Sequence, residues 1–307
     1  MNKKRIELSS LIEFLGNSVL NVYGTIDGCF IDHLADAAHV DETTLDWVGA
    51  TNPHKQQVAE SSKAKVILVD TDVIYSDIIS SSAKALIVVD NPKRCLAQIG
   101  DHFFVERPLA GIHPTAIVDP EAIIGDNVSI GMYAVIGKAE IGDNCIVCPF
   151  VRIYDNVTIG HDTHIKDGAI IGGEGYGYER DENGNRFRFP QIGDVKIGNH
   201  VDIGSHTCID RGALSTTIIG DYAKIDNLCH IGHNDNIGKN VAIVACTEIS
   251  GSVRIGDNSW VGPNSAIRDQ CKIGEGTMIG LGSSVIMDIG SNEVWSGYPA
   301  RRINEKK

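Results

Sequence analysis

Residues 219–285 read IGDYAKIDNLCHIGHNDNIGKNVAIVACTEISGSVRIGDNSWVGPNSAIRDQCKIGEGTMIGLGSSV. A β-branched apolar residue stands at every sixth position, from Ile219, Ile225 and Ile231 to Ile273, Ile279 and Val285. Gly often follows it, as at Gly220, Gly232, Gly256 and Gly280, and a small or compact side chain comes four residues after it, as at Ala223, Cys229, Thr247 and Ser259. A period of six fits neither the 3.6 of a helix nor the alternation of a lone strand. It is the hexapeptide repeat of a parallel β-helix, in which three repeats close a triangular coil of roughly 18 residues and each isoleucine stacks on the one a coil below.

Working outward, repeats fall at Val118, Ile124, Ile130 and Ile136, then reset by one residue to Ile141, Val147, Ile153, Ile159, Ile165 and Ile171. The pattern breaks over 172–191 (GGEGYGYERDENGNRFRFPQ), resumes at Ile197, Ile203 and Ile209, and breaks again within 211–217. A solenoid accepts insertions at its corners, and such loops commonly shape a binding face. Residues 108–307 are therefore expected to form a β-helix with a loop insertion at 172–191, and 1–107 a small α/β domain. In the latter, Ser10-Leu11-Ile12-Glu13 has capping-box spacing before a short helix that stops at Gly16 and presents Leu11, Ile12, Phe14 and Leu15 as its apolar face. Lys65–Val69 and Ala85–Val89 read as buried strands, and Asn91-Pro92 starts a helix through Ile99. A linker is expected around His102 to Ala110. No Gly-rich phosphate loop follows a strand, so a dinucleotide fold fails.

The chain has 307 residues, 42% of them hydrophobic and only 6% aromatic, as suits a narrow Ile/Val-filled prism. Its net charge of −13, with no basic stripe, argues against nucleic acid. No segment has the apolar length of a membrane span and residues 1–20 lack a signal core, which predicts a soluble, cytoplasmic protein. Cys145, Cys229 and Cys271 occupy inward positions as small apolar groups. Cys145-Ile146-Val147-Cys148 has metal-type spacing without a second pair, so no metal is expected.

The chemistry is expected at His233, two residues past a core isoleucine and so in a turn, with Gly251 one coil above it. An imidazole can take a proton near neutral pH, and a bare backbone N–H can hold an oxyanion, worth about 3 kcal/mol.

The runs IDRGALSTTIIGDYAKIDNLCHIGHNDNIGKN and GGEGYGYERDENGNRFRFPQIGDVKIG resemble the UDP-3-O-acylglucosamine N-acyltransferases of lipid A synthesis, and LSSLIEFLG and ALIVVDNPKRCLAQI are similar to that family's N-terminal domain. The resemblance implies a left-handed coil, where the usual crossover rule would have predicted a right-handed one. It also implies a homotrimer with active sites between subunits, a UDP-linked amino sugar as acceptor and an acyl thioester as donor, with no bound cofactor. By position it makes His233 the general base, Gly251 the oxyanion donor, and Asp226 the residue that orients the imidazole, with Asn227 beside it. Trp47 would stack on uracil and Asn52 hydrogen-bond it. The nucleotide sugar would be gripped by the loop that carries Tyr176, Tyr178 and Gln191, together with the N-terminal domain.

The chain departs from the family pattern in three ways. Gln270 stands where a second active-site histidine is expected, and an amide cannot carry a proton. His230 replaces the usual glutamine. The sequence ends at Lys307 soon after Ser296-Gly297-Tyr298-Pro299-Ala300, an ending similar to those of acetyl-CoA-dependent sugar acetyltransferases. That ending tips the expected reaction toward N-acetylation of a UDP-linked amino sugar for surface glycans, with acyl carrier protein and the lipid A reaction as the alternative. Two other classes stay open: a zinc site of the carbonic-anhydrase kind drawing on His200 and His206, which are one repeat apart and on different sides of the triangle, and a purely structural solenoid.

Overall fold

The computed structural model describes residues 5–305. The chain divides into two compact units, Met1–Arg107 and Pro108–Lys307. In the first, a four-stranded sheet runs in the order Val19–Tyr23, Ala85–Val89, Val66–Val69, Leu45–Trp47, the last three parallel. Every residue of Val66–Val69 and Ala85–Val89 is buried, as expected of strands covered on both faces. The helix Pro92–Ile99 starts where Asn91 accepts a hydrogen bond from Arg94 N.

The first helix differs from the expectation. It spans Leu8–Leu15, with Ser10 inside it and no side-chain cap, and its buried face is Leu8, Leu11 and Leu15, while Phe14 is exposed. Leu8 extends the i, i+3, i+7 stripe by a turn, and burying that leucine outweighs a cap worth about 1 kcal/mol. His102 to Phe104 are not linker either: they continue the preceding helix as a π-turn, and His102 stacks on Phe14 at 4.4 Å.

The second unit is a left-handed parallel β-helix. Its strands, most only two residues long, stack into three sheets of 11, 9 and 8 strands, the largest including a closing hairpin. The register advances coil by coil, as in His164↔Asp202, Asp202↔Lys224 and Lys224↔Ala242. Ile225, Ile231, Ile243, Ile249 and Val261 are all at most 3% exposed, each buried side chain contributing about 2 kcal/mol. Inward hydroxyls close the coils on neighbouring carbonyls, as Ser259 Oγ donates to Gly274 O at 3.0 Å and Thr277 Oγ1 to Gly290 O at 2.7 Å. One column of corner positions takes φ near +60° at Asn144, Asp162, His200, Tyr222, Asn240 and Asn258, a conformation Asn tolerates best. The 172–191 excursion leaves one corner between the strands Ile170–Gly173 and Asp194–Ile197 and folds as an antiparallel hairpin of Tyr178–Arg180 against Arg186–Arg188. Among the described residues no helix is long and apolar enough to cross a membrane.

Candidate active site

The strand His230–Ile231 sends Ile231 into the prism and leaves His230 on the outer face, in register between Cys208 and Glu248 of the adjoining coils. Gly232 and His233 then make the corner. A Cβ on Gly232 would stand 2.7 Å from Gly251 N, so only glycine lets the two coils close there. A Cβ on Gly251 would stand 2.7 Å from His233 Nε2, so the imidazole tip rests on the Gly251 backbone. Ser252 N donates to His233 O at 2.8 Å and ties the coils together. Among the described residues nothing accepts a hydrogen bond from Gly251 N–H, which is free for a ligand.

These groups line one cavity of about 440 Å³ with Tyr176, Asp210, His230, Glu248 and Gln270. The 172–191 excursion closes over it. A Cβ on Gly175 would meet His233 Cβ at 2.9 Å, and Gln191 lies against Gly175 and Gly177, its Oε1 buried without a partner. Tyr176 packs on Tyr178 with ring centroids 5.0 Å apart, so Tyr178 backs a lining residue without being among those that line the cavity.

Burial holds His233 below the usual histidine range, and the neighbouring His230 adds to this, so the ring is neutral and able to accept a proton at neutral pH. Its Nδ1 stands 2.9 Å from Asn234 Nδ2. Asp226, expected to orient that ring, does not do so within the chain. It follows the strand Lys224–Ile225 of a different sheet, where its Oδ1 accepts from Asn227 N at 2.7 Å and Asn227 Oδ1 accepts from Ser205 N at 2.7 Å. Six residues carry the chain to another side of the triangle, so sequence neighbourhood misled here.

Sequence reasoning passed over Asn234, Asp210, Glu248 and Asp235. Asp235 is the most legible of these in retrospect: it occupies the inward position otherwise held by small or apolar residues. It is fully buried, and its Oδ1 accepts from Val253 N at 2.8 Å while Oδ2 has no partner. Burial pushes its carboxyl up to about 9.

Trp47 and Asn52 line a separate cavity of about 730 Å³ within the N-terminal unit, with Asp46, Val48 and Gly49. On an exposed corner of the β-helix, His161, Asp162 and His200 bring one ligand atom each to within 4.8 Å of one another. His200 thus meets His161 and not His206, whose ring packs against Gly168. Burial raises the Cys145 and Cys148 thiols, Cys148 to about 11, which keeps both protonated near neutral pH.

The bacterial transferase hexapeptide (six repeats) family model matches residues 138–173 and 252–286. A UDP-3-O-acylglucosamine N-acyltransferase 1 of Francisella tularensis subsp. tularensis is 42% identical over 267 residues, covering 80% of this chain and 77% of the relative. Another, from Francisella tularensis subsp. holarctica, is 41% identical over 212 residues, and that match spans 62% of this chain and 61% of the relative's length. Among solved structures, a UDP-N-acetylglucosamine acyltransferase from Campylobacter jejuni matches with a TM-score of 0.57 at 29% identity, covering 64% of this chain and 75% of that one.

These relatives overturn the expectation of an acetyl-CoA-dependent N-acetyltransferase for surface glycans. The short ending that suggested it has a structural job instead. Residues 297–300 turn between the strands Glu293–Ser296 and Arg301–Glu305, and Glu293–Ser296 pairs with Met278–Ile279, so the motif joins a hairpin to the stack of coils. With 42% identity over four-fifths of its length, the chain belongs to the UDP-3-O-acylglucosamine N-acyltransferase family.

Proposed function

We propose that the protein transfers a hydroxyacyl group from an acyl carrier protein thioester to the amine of a UDP-3-O-acylglucosamine. The observation that carries this is the contact of His233 Nε2 with the Gly251 backbone in a cleft, on a chain of this family. The sugar amine attacks the thioester carbonyl as His233 takes its proton, and Gly251 N–H holds the developing oxyanion. Water is kept from the imidazole by the loop carrying Gly175, Tyr176 and Gln191. The Trp47 cavity suits a planar base, which would stack on the indole while the Asn52 amide reads its edge. The assembly is a homotrimer in this reading, which equilibrium sedimentation tests. The donor itself contributes the activated carbonyl, so the reaction calls on side chains and backbone alone.

The test is turnover of UDP-3-O-acylglucosamine with hydroxyacyl carrier protein. His233→Ala is expected to lower kcat at least about hundredfold. Unchanged kcat in that variant, or no turnover by the parent protein, refutes the assignment.

A further inference from the structure

The cavity holds a second histidine beside a carboxylate, and acyl transfer from a thioester has a second proton to move. His230 and His233 flank Ile231 and Gly232 and line the same cavity, but their surroundings differ. His233 is held by an amide, from Asn234. His230 has Asp210 Oδ2 at 3.6 Å from its Nε2; the Asp210 side chain is only 14% exposed, while that of His230 is 43% exposed and open to the cleft. We propose that His230 is the general acid that protonates the departing thiolate, with Asp210 as the positioning residue that keeps the imidazolium in place. The proposal rests on the acyl-transfer reading above.

The other groups facing His230 agree in sign. Glu248 sits in register on the next coil, its carboxylate accepting from the Ser250 hydroxyl at 2.9 Å, and Asp269 lines the same cavity. Cys208, in register on the previous coil, has its thiol raised by burial and adds no charge near neutral pH. The groups around His230 are thus acidic, and burial raises the Asp210 carboxyl to about 6, still below neutral pH. Burial first, and a positive charge at His230 second, hold His233 neutral. One imidazole beside a carboxylate and one beside an amide, in a single cavity, offer the donor and the acceptor of an acid–base pair. Gln270 lines the cavity too, but its amide donates to Asp269 Oδ2 at 3.0 Å and has no proton to give.

The step balances. The amine nitrogen bonds to the thioester carbonyl carbon and passes its proton to His233. As the oxyanion re-forms the carbonyl, the C–S bond breaks, and sulfur takes the electron pair and the His230 proton. Amide and thiol leave, and the proton on His233 returns through solvent to His230.

The test compares leaving groups. With UDP-3-O-acylglucosamine as acceptor, His230→Gln is assayed with the carrier-protein thioester, whose alkyl thiol is weakly acidic, and with an aryl thioester, whose thiolate leaves without protonation. We expect kcat to fall by about a hundredfold with the former and by less than about threefold with the latter. With the carrier protein, His230→Gln is also expected to lose the alkaline limb of the kcat–pH profile, and Asp210→Asn to move that limb to lower pH. Equal losses on both donors, or an unmoved alkaline limb in both variants, overturn the proposal. His233→Ala, which should lose both donors alike, separates this failure from failure of the acyl-transfer reading: if His233→Ala keeps full activity, the reading falls and not only the role of His230.

Discussion

Asn234 holds His233 with its amide nitrogen. Nδ2 stands 2.9 Å from His233 Nδ1, while Asn234 Oδ1 accepts from Ala213 N at 2.9 Å and from Ser215 Oγ at 3.0 Å. The anchored oxygen sets which end of the carboxamide faces the ring, so neutral His233 rests with its proton on Nε2. Acting as a base through Nε2 requires the other tautomer. A half-turn of the carboxamide then gives up the Ala213 contact, at a cost of about 1 kcal/mol.

Asn234→Asp should remove that cost. One carboxylate oxygen keeps the Ala213 and Ser215 contacts while the other accepts Nδ1–H, leaving Nε2 bare. We expect kcat to be retained or raised up to about fivefold, the equivalent of about 1 kcal/mol. Asn234→Ala should instead lower it, with KM for the sugar little changed. Steady-state kinetics of the two variants decide: a loss in Asn234→Asp as deep as in Asn234→Ala refutes the tautomer argument.

Gly251→Ala places a methyl 2.7 Å from His233 Nε2, well inside contact distance. The backbone there is ordinary, so the coil should fold and the ring should move. A fall in kcat of about a hundredfold is expected with a melting temperature within a few degrees of the parent, since a displacement of about 1 Å is enough for such a loss. Full activity in this variant would show that the imidazole works elsewhere.

Asp235 makes stability depend on pH in an unusual direction. Its carboxyl, pushed up to about 9 in the fold, stays protonated where the unfolded chain has ionised above the ordinary 3.8. The unfolded state is therefore favoured as pH rises from about 4 to about 9, by about 1.4 kcal/mol per pH unit from this one group, and the loss levels off above that. Asp235→Asn keeps an oxygen for Val253 N but cannot ionise. Urea denaturation from pH 5 to 8.5 should show the variant gaining on the parent as pH rises. Parallel curves would mean that the buried carboxyl is charged and paired.

Trp47→Ala should raise KM for the UDP sugar by about tenfold and leave kcat within about twofold, since base stacking on an aromatic ring is worth about 1–3 kcal/mol. Titration with UDP alone should show the same loss. Unchanged UDP affinity would move the nucleotide out of that cavity.

The sequence by itself determined the coil. Isoleucines at every sixth position admit one way of burying them, and the phase breaks at 136–141, 172–191 and 211–217 mark the corners where the stack yields. The adjacency of His233 and Gly251 was legible for the same reason, because a strict period turns a difference in residue number into a difference in height. What depended on direction within a coil was decided only by tertiary structure. Asp226, five residues before the end of the next strand, faces another side of the triangle, while Asn234, next to His233, takes its Nδ1. Asp210 reaches His230 from the adjoining coil, at a spacing that the insertion within 211–217 shifts off the regular period. The ending at 297–300 looked like a statement about the donor and is a hairpin turn. A repeat sets how high each side chain sits, but which neighbours meet at a corner follows from insertions and local hydrogen bonds, and these have no period to read.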